Sequence, residues 1–485
     1  MMNFDNEVSL ATSVRGMKSV YGGAEPRLPK TKSSILHRTP FVPPTAVRAD
    51  GIYVDLIDGQ RLVDGVGGAA VTCIGMGNKK VIKAIKDQTE VMAYVYNAQC
   101  SNEPAEELAH MIVDNSGGAF ELCGFVSGGS EAMEGVIKLA RQYFYETSQP
   151  KRKNFIARKL SFHGNTVSTL ALGFHPARRV PYEAIIDHEN FHHVSPAYAA
   201  RYQLPNETEQ QYVARLAQEL EDKFQQLGPQ TVIGFVAETV VGATTGVVPP
   251  PKGYLKAMKE VCDRHGALFI LDEVMSGMGR MGTMHGWQSY GDGVSPDIQA
   301  IAKGLGGGYA SIGAVLMNKR VADGINSGSG WWQHGHTYQA HPLACVAALA
   351  VQKIIAEENL LENCMKQGEY LRKLLEERLR SRNSPAAPYI FDIRGQGGFW
   401  GIEFDIPPEK DFTQNFKLKK RFGAMLQAKT MEKGLICMAV DGGKDGTNGS
   451  HAMLAPPYNV TKEQVEEIVD LFVESVEELV TEVLH

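Results

Sequence analysis

The sequence predicts an α/β protein whose larger domain holds a mainly parallel central sheet between helices. Two observations predict it. Between about residues 120 and 320, apolar runs that fit buried strands ("CGFVSGG", "TVIGFVAE", "ALFILDEV", "PDIQAIAKGLGGG", "IGAVLMNK") alternate with amphipathic helical patterns, as in a sheet covered on both faces. Several of these runs also end in Gly, Ser, Glu, Asp or Lys, at the carboxyl edge where such sheets collect ligands. A chain of 485 residues can bury a large core, and we expect one large domain plus one smaller one.

The elements follow in order. "RTPFVPPTAVRADG" reads as an arm over the surface. "GIYVDLIDGQRLVDGVGG" fits two short strands around a turn at Asp58-Gly59, and a helix over Lys79–Met92 comes next. Inside the repeating stretch, "CGFVSGG" leads into a helix with Val136, Ile137, Ala140 and Tyr143 on one face. A second helix carries Val213, Leu216, Leu220 and Phe224, and a third surrounds Met258, Val261 and Cys262. Pro342 fits a first helical position, opening a helix through Val346, Ala350 and Ile354. Beyond it come a charged helix around Met365–Arg382, the strands "YIFDIRGQGGFWGIEFDI" and a Gly-rich loop at 441–450. The last helix opens on the capping box Thr461…Gln464 and shows apolar Val465, Ile468, Phe472, Val476, Leu479 and Val483. The expected division is an N-terminal arm and part of the small domain at 1–64, the large domain at 65–345, and the C-terminal small domain at 346–485.

Composition narrows the function. A formal net charge of −6 and no basic run of five argue against nucleic acid or an anionic membrane as partner. Met1 to Val20 lacks the pattern of a secretory leader, and no apolar stretch reaches the length of a membrane span, so the expectation is a cytoplasmic protein acting on small solutes. The seven cysteines, at 73, 100, 123, 262, 345, 364 and 437, are scattered without a CxxC pair. They read as structural thiols, not as disulfides or a metal site.

The polar strand ends carry the chemistry. In "FVSGGSEAMEGVIKLA", Gly128, Gly129 and Ser130 sit at a strand-to-helix turn, which is either a plain helix cap or a cradle for an anion such as phosphate. Glu238 closes "GFVAE" and Asp272 closes "ALFILD". Each alone fits an exposed strand end, whereas two at neighbouring ends suggest a polar pocket. Lys303 follows "IQAIA". Such a lysine either snorkels to the surface or is desolvated toward the neutral amine that attacks carbonyls. Cradle, acid and dry lysine together suit pyridoxal phosphate, whose ring nitrogen needs a carboxylate to stay protonated.

With these motifs assembled, the chain resembles the class III (fold type I) pyridoxal-phosphate aminotransferases, the omega-aminotransferase family. The resemblance runs from "LHRTP" to "LAPPYNVTKEQV" through "SFHGNT", "AETVVGATTG", "LDEVMSGMGRMG", "IAKGLGGG" and "HGHTYQAHPLACVAALA". It implies the fold type I architecture, with a small α+β domain built from both termini. It also implies ping-pong transfer of an amino group from an amine or amino-acid donor to an oxo acceptor. Decarboxylases, racemases and lyases share the fold and form the alternative.

The resemblance further implies roles for single residues. Lys303 matches the Schiff-base lysine and proton shuttle, and Asp272 the partner of the pyridine nitrogen. Val274 and Phe162 match contacts on the two ring faces, with Phe162 standing where many relatives carry Tyr. Gly129 and Ser130 match the phosphate cradle, and Glu238 the acid near the cofactor's O3′. Thr337 matches a phosphate ligand offered to the partner subunit, which implies a homodimer with active sites at its interface. His163, Arg280 and Arg394 are read as structural, and Trp331 and Trp332 as packing, with a pocket wall the other reading. Met438 stands where many relatives carry an Arg that binds substrate carboxylates, so a carboxylate would need another cation, such as Lys444. The Gly-rich insert ends in Gly449-Ser450-His451, where a subset of the family has "GDH".

Overall fold

The computed structural model describes residues 33–407 and 421–484; most of the polar N-terminal stretch lies outside them. Near the N-terminus are β1 (Ala46–Asp50), β2 (Tyr53–Leu56) and β3 (Arg61–Asp64). The central sheet takes β4 (Leu122–Val126), β5 (Asn154–Arg158), β6 (Phe191–Val194), β7 (Val232–Glu238), β8 (Leu268–Asp272), β9 (Ile298–Ile301) and β10 (Gly313–Met317). Then follow β11 (Ile390–Gln396), β12 (Phe399–Phe404), β13 (Leu435–Ile436), β14 (Met438–Asp441) and β15 (Ser450–Leu454).

In the central sheet the order is β4-β10-β9-β8-β7-β5-β6. Strands β5 to β9 pair in parallel, and β10 runs antiparallel to both its neighbours. The apolar run in β8 shows why this sheet is buried on both faces. Leu268 and Ile270 pack with Met133, Val136 and Ala140 of the helix Gly129–Glu146, while Phe269 and Leu271 face Leu220, Tyr254 and Met258 on the other side. Side chains alternate along a strand, so an uninterrupted apolar run is what two covered faces require.

A second core joins the ends of the chain. β3 pairs in parallel with β13, and Ile52 and Val63 pack with Leu371, Phe472 and Val476. The small domain is therefore built from both termini. The final helix, Lys462–Leu484, starts at the predicted reciprocal cap: Thr461 N donates to Gln464 Oε1 at 3.0 Å and Gln464 N to Thr461 Oγ1 at 3.3 Å. The helix expected over Lys79–Met92 runs Lys79–Val91 behind the cap Asn78. The charged helix starts earlier than its pattern suggested, at Leu360, and ends at Leu379.

One element differs in kind. Part of the expected surface arm, β1, pairs antiparallel with β2; its side chains are largely exposed, so no apolar alternation marks it. No helix among the described residues is long and apolar enough to cross a membrane.

Candidate active site

Parallel pairing aligns the ends of three strands: Glu238 of β7 lies opposite Asp272 of β8, and Asp272 opposite Ala300 of β9. Just past β9, the chain turns at Lys303. Gly129, Ser130, Phe162, Glu238, Asp272, Val274 and Lys303 all line one cavity of about 490 Å³ at this edge. Thr337 does not; it is exposed on a loop where Tyr94 Oη donates to its carbonyl at 2.8 Å.

Asp272 is 5% exposed. Its Oδ1 accepts from Val274 N at 3.0 Å, and its Oδ2 lies 2.9 Å from His163 Nδ1. The buried carboxylate is thus held in one orientation, as a buried charge requires. Its neighbour Glu273 belongs to a different structure. Its carboxylate is fully buried and accepts from Thr239 Oγ1 (2.6 Å), Gly286 N, Trp287 N and Gln299 Nε2 (each 2.7 Å). Of the two acids ending this strand, only Asp272 faces the cavity.

Lys303 adopts φ +43°, the left-handed region that side chains other than Gly seldom occupy, and its carbonyl accepts from Gly306 N and Gly307 N. Strain of this kind gathers at functional positions. The side chain has no ion pair or hydrogen bond among the described residues. Desolvation pushes its ammonium down to about 8, against the pull of Asp272 and Glu238.

The helix Gly129–Glu146 has Gly128 as its cap residue, which makes no side-chain cap bond, and no side chain among the described residues bonds its first N–H groups. They stay free for an anion, and the helix dipole favours one there. A Cβ at Gly129 would lie 2.8 Å from Val274 Cγ1, so only glycine lets Val274 approach this turn. Ser130 Oγ donates to Asn165 Oδ1 at 3.0 Å and accepts from Asn165 N at 3.2 Å. Glu238 accepts from Phe162 N at 3.1 Å and Gly242 N at 3.0 Å; burial raises its pKa. A reactive lysine, a fixed anion and a glycine cradle around one hollow fit a phosphorylated pyridine aldehyde.

Arg280 and Arg394, read as structural, lie outside the cavity lining and bond to other parts of the chain. Arg280 donates to Gly398 O and Pro456 O, and Arg394 to Glu403 at 2.6 Å and Thr245 O at 2.5 Å. Trp332 packs over Gly124 and Gly135, and neither Trp331 nor Trp332 lines the cavity. Met438 does line it. Lys444, suggested as the substitute cation, is exposed and outside the lining, with its carbonyl bound by Tyr202 Oη. Sequence reasoning missed Asn165, Arg178 and Ser311, all of which line the cavity. It also missed the contact of His163 with Asp272, which joins residues 109 positions apart. Only the pair Arg178-Arg179 hinted at a cation, and nothing in the sequence said which of the two faces inward.

Comparison with known proteins agrees with this geometry. The family Aminotransferase class-III matches residues 37–476. An uncharacterized aminotransferase of Schizosaccharomyces pombe is 45% identical, over 88% of this chain and 91% of its own. A chloroplastic gamma aminobutyrate transaminase 3 of Solanum lycopersicum is 31% identical, over 96% and 85%. Among solved structures, the omega transaminase of Pseudomonas jessenii in complex with PMP superposes with a TM-score of 0.83 at 29% identity, covering 94% of this chain and 97% of that one. The chain therefore belongs to the class III aminotransferases, enzymes of fold type I that use pyridoxal 5′-phosphate.

Proposed function

We propose that Lys303 is the residue that carries the cofactor and moves the proton of the reaction, with Asp272 as the fixed counter-charge of the ring nitrogen. When bound, pyridoxal phosphate supplies a carbonyl that exchanges with amines and a ring that withdraws electrons from the carbon bearing the amine. The residues of the chain do the rest. Gly129, Ser130 and the N–H groups behind Gly128 would hold the phosphate, and Phe162 and Val274 would contact the ring. His163 keeps Asp272 Oδ2 oriented, and Glu238 would serve as the acid near the cofactor's O3′. The single observation that carries the reading is the unpaired Lys303 amine in a cavity whose facing anion, Asp272, is already held rigid by His163 and Val274 N. A primary amine pushed down to about 8 is neutral often enough near neutral pH to accept a proton from a carbon acid.

The second part of the proposal is a homodimer that completes the site through Thr337. Thr337 is exposed on its own chain, and the aromatic side chains of Tyr94, Tyr96, Trp331 and Tyr338 around it are exposed as well. A cluster of exposed aromatic groups is favoured at an interface. We place the division of the chain at 1–64, 65–345 and 346–485 in the same reading, and the enzyme in the cytoplasm, which suits its seven free cysteines.

Substrates are a small amine donor and an oxo acceptor, taken in two half-reactions. The test is to add a panel of amines to the purified protein and follow the visible absorbance of the bound cofactor. Productive donors change that absorbance with one equivalent of oxo product per site, and Lys303→Ala abolishes the change. Product formation by Lys303→Ala at the wild-type rate would refute the assignment.

A further inference from the structure

Lysine and arginine side chains on a protein surface find water or a carboxylate, so a cation that faces a cavity without either is informative. Among the cavity-lining groups, the charges are distributed unevenly. Asp272 is engaged by His163 and Val274 N, and Glu238 by Phe162 N and Gly242 N. Lys303 is reserved for the cofactor in the reading above. That leaves Arg178 and Arg38, and Arg38 sits exposed on the N-terminal segment.

Arg178 differs from its neighbour in the short helix Pro176–Arg179. Arg179 is buried, donates to Gly173 O and pairs with Glu183 at 3.7 Å. Arg178 has no ion pair and no side-chain hydrogen bond among the described residues. Its guanidinium carbon lies over the Phe162 ring, 4.7 Å from the centroid, and its N–H groups have no hydrogen-bond partner among the described residues. Burial and Arg38 pull its pKa down, and Glu238 pulls it up. A planar cation so placed, over an aromatic face and short of hydrogen-bond acceptors, is suited to a bidentate carboxylate.

The Gly-rich insert explains why the cation stands here. A Cβ at Gly446 would come 2.4 Å from Pro176 Cδ, and one at Gly442 would touch His175 Cε1 at 3.4 Å, so the 441–450 loop lies directly against the helix that carries Arg178. The loop is braced by Tyr202 Oη on Lys444 O at 2.9 Å and by Gly442 N on Gly449 O at 2.7 Å. The chain that lines the cavity with Met438 thus also supplies, a few residues later, the support for a different cation.

We infer that Arg178 is the anchor for the anionic group of the substrate, and that this aminotransferase acts on amines bearing a carboxylate. The inference rests on the placement of the cofactor on Lys303. The competing anion is the cofactor phosphate. Its cradle at Gly129 and Ser130 is braced by Asn165, whereas Arg178 lies over Phe162, a contact assigned to the ring face.

The test uses the cofactor-loaded enzyme and the donor half-reaction alone, so that no oxo acid takes part. Alanine, 4-aminobutyrate and benzylamine are the donors, compared between wild type, Arg178→Gln and Arg178→Lys. Loss of a charge-assisted contact predicts a fall of about 10- to 100-fold in kcat/KM for at least one carboxylate-bearing donor in Arg178→Gln, with partial recovery in Arg178→Lys and less than threefold change for benzylamine. Titration calorimetry with butanoate and with 1-butanol supplies a readout apart from turnover: Arg178→Gln weakens butanoate and leaves butanol unchanged. Equal loss for all three donors, no loss for any, or weakened cofactor retention instead of weakened butanoate binding overturns the inference. A wild type that consumes benzylamine but neither carboxylate donor overturns it too and leaves the Lys303 reading intact, whereas a wild type whose cofactor responds to no amine strikes that reading itself.

Discussion

His163 Nδ1 lies 2.9 Å from Asp272 Oδ2, and both side chains are almost completely buried. The other ring nitrogen, Nε2, has no partner among the described residues, so this imidazole spends its one strong contact there on the carboxylate. It acts on chemistry only through Asp272, as a positioning residue. Replacing it with Phe keeps the volume and orphans one carboxylate oxygen, a loss of about 1–3 kcal/mol. We expect the cofactor dissociation constant of His163→Phe, measured by titrating apoenzyme, to rise roughly 5- to 100-fold. An unchanged constant would remove His163 from the site.

Lys303 gives a pH signature in the cofactor-free protein. Its folded-state pKa, about 8, lies below the ordinary 10.5, so between these values the unfolded chain binds the extra proton and stability rises with pH. The penalty is fully present below pH 8 and vanishes above the ordinary lysine value; it amounts to at most roughly 3 kcal/mol. Apo Lys303→Met is therefore more stable than apo wild type at pH 7, and the gap closes toward pH 10. Thermal melts across this range check both the sign and the window.

Gly129→Ala tests the cradle by shape. Its Cβ would sit 2.8 Å from Val274 Cγ1, and valine has few rotamers with which to yield. Overpacking of this kind costs about 1–3 kcal/mol. Cofactor affinity should fall by an order of magnitude or so while the fold, read by circular dichroism, persists.

Glu273 predicts the opposite pattern. Removing the carboxylate in Glu273→Leu strands Thr239 Oγ1, Gly286 N, Trp287 N and Gln299 Nε2, and such orphaned donors cost about 1–3 kcal/mol each. We expect a destabilisation of at least about 3 kcal/mol in denaturant titrations. Whatever fraction folds should retain near-normal cofactor affinity.

These two acids show where sequence reasoning stopped. The apolar runs of β7 and β8 and the polar residues closing them were legible because period and burial leave marks in a single strand. Their lateral alignment could be inferred from the fold, and Glu238 does lie opposite Asp272. The choice of Asp272 over Glu273 came from the resemblance and not from the strand pattern, since what holds Glu273 away is the loop at 286–287 folding back to donate to it. The contacts of Thr239, His163 and Arg178 were not legible for the same reason: each meets its partner across 34 to 109 residues or lies over a ring from another segment. The strand β1 was missed because its exposed residues carry no apolar period.

The dimer proposal predicts complementation. If Thr337 serves the neighbouring site, mixed dimers of Lys303→Ala and Thr337→Ala contain one site with both residues intact. Mixing the two variants under conditions of subunit exchange should then restore high-affinity cofactor binding to about a quarter of all sites, counting random pairing. Independent, monomeric chains would show no restoration.

The central claim is the identity of the lysine. Borohydride treatment of the cofactor-loaded protein, followed by proteolysis and mass spectrometry, locates the amine that holds the cofactor. The account predicts a pyridoxyl group on the peptide containing Lys303 and on no other; a label elsewhere, or none in a protein that retains its visible absorbance, would contradict it.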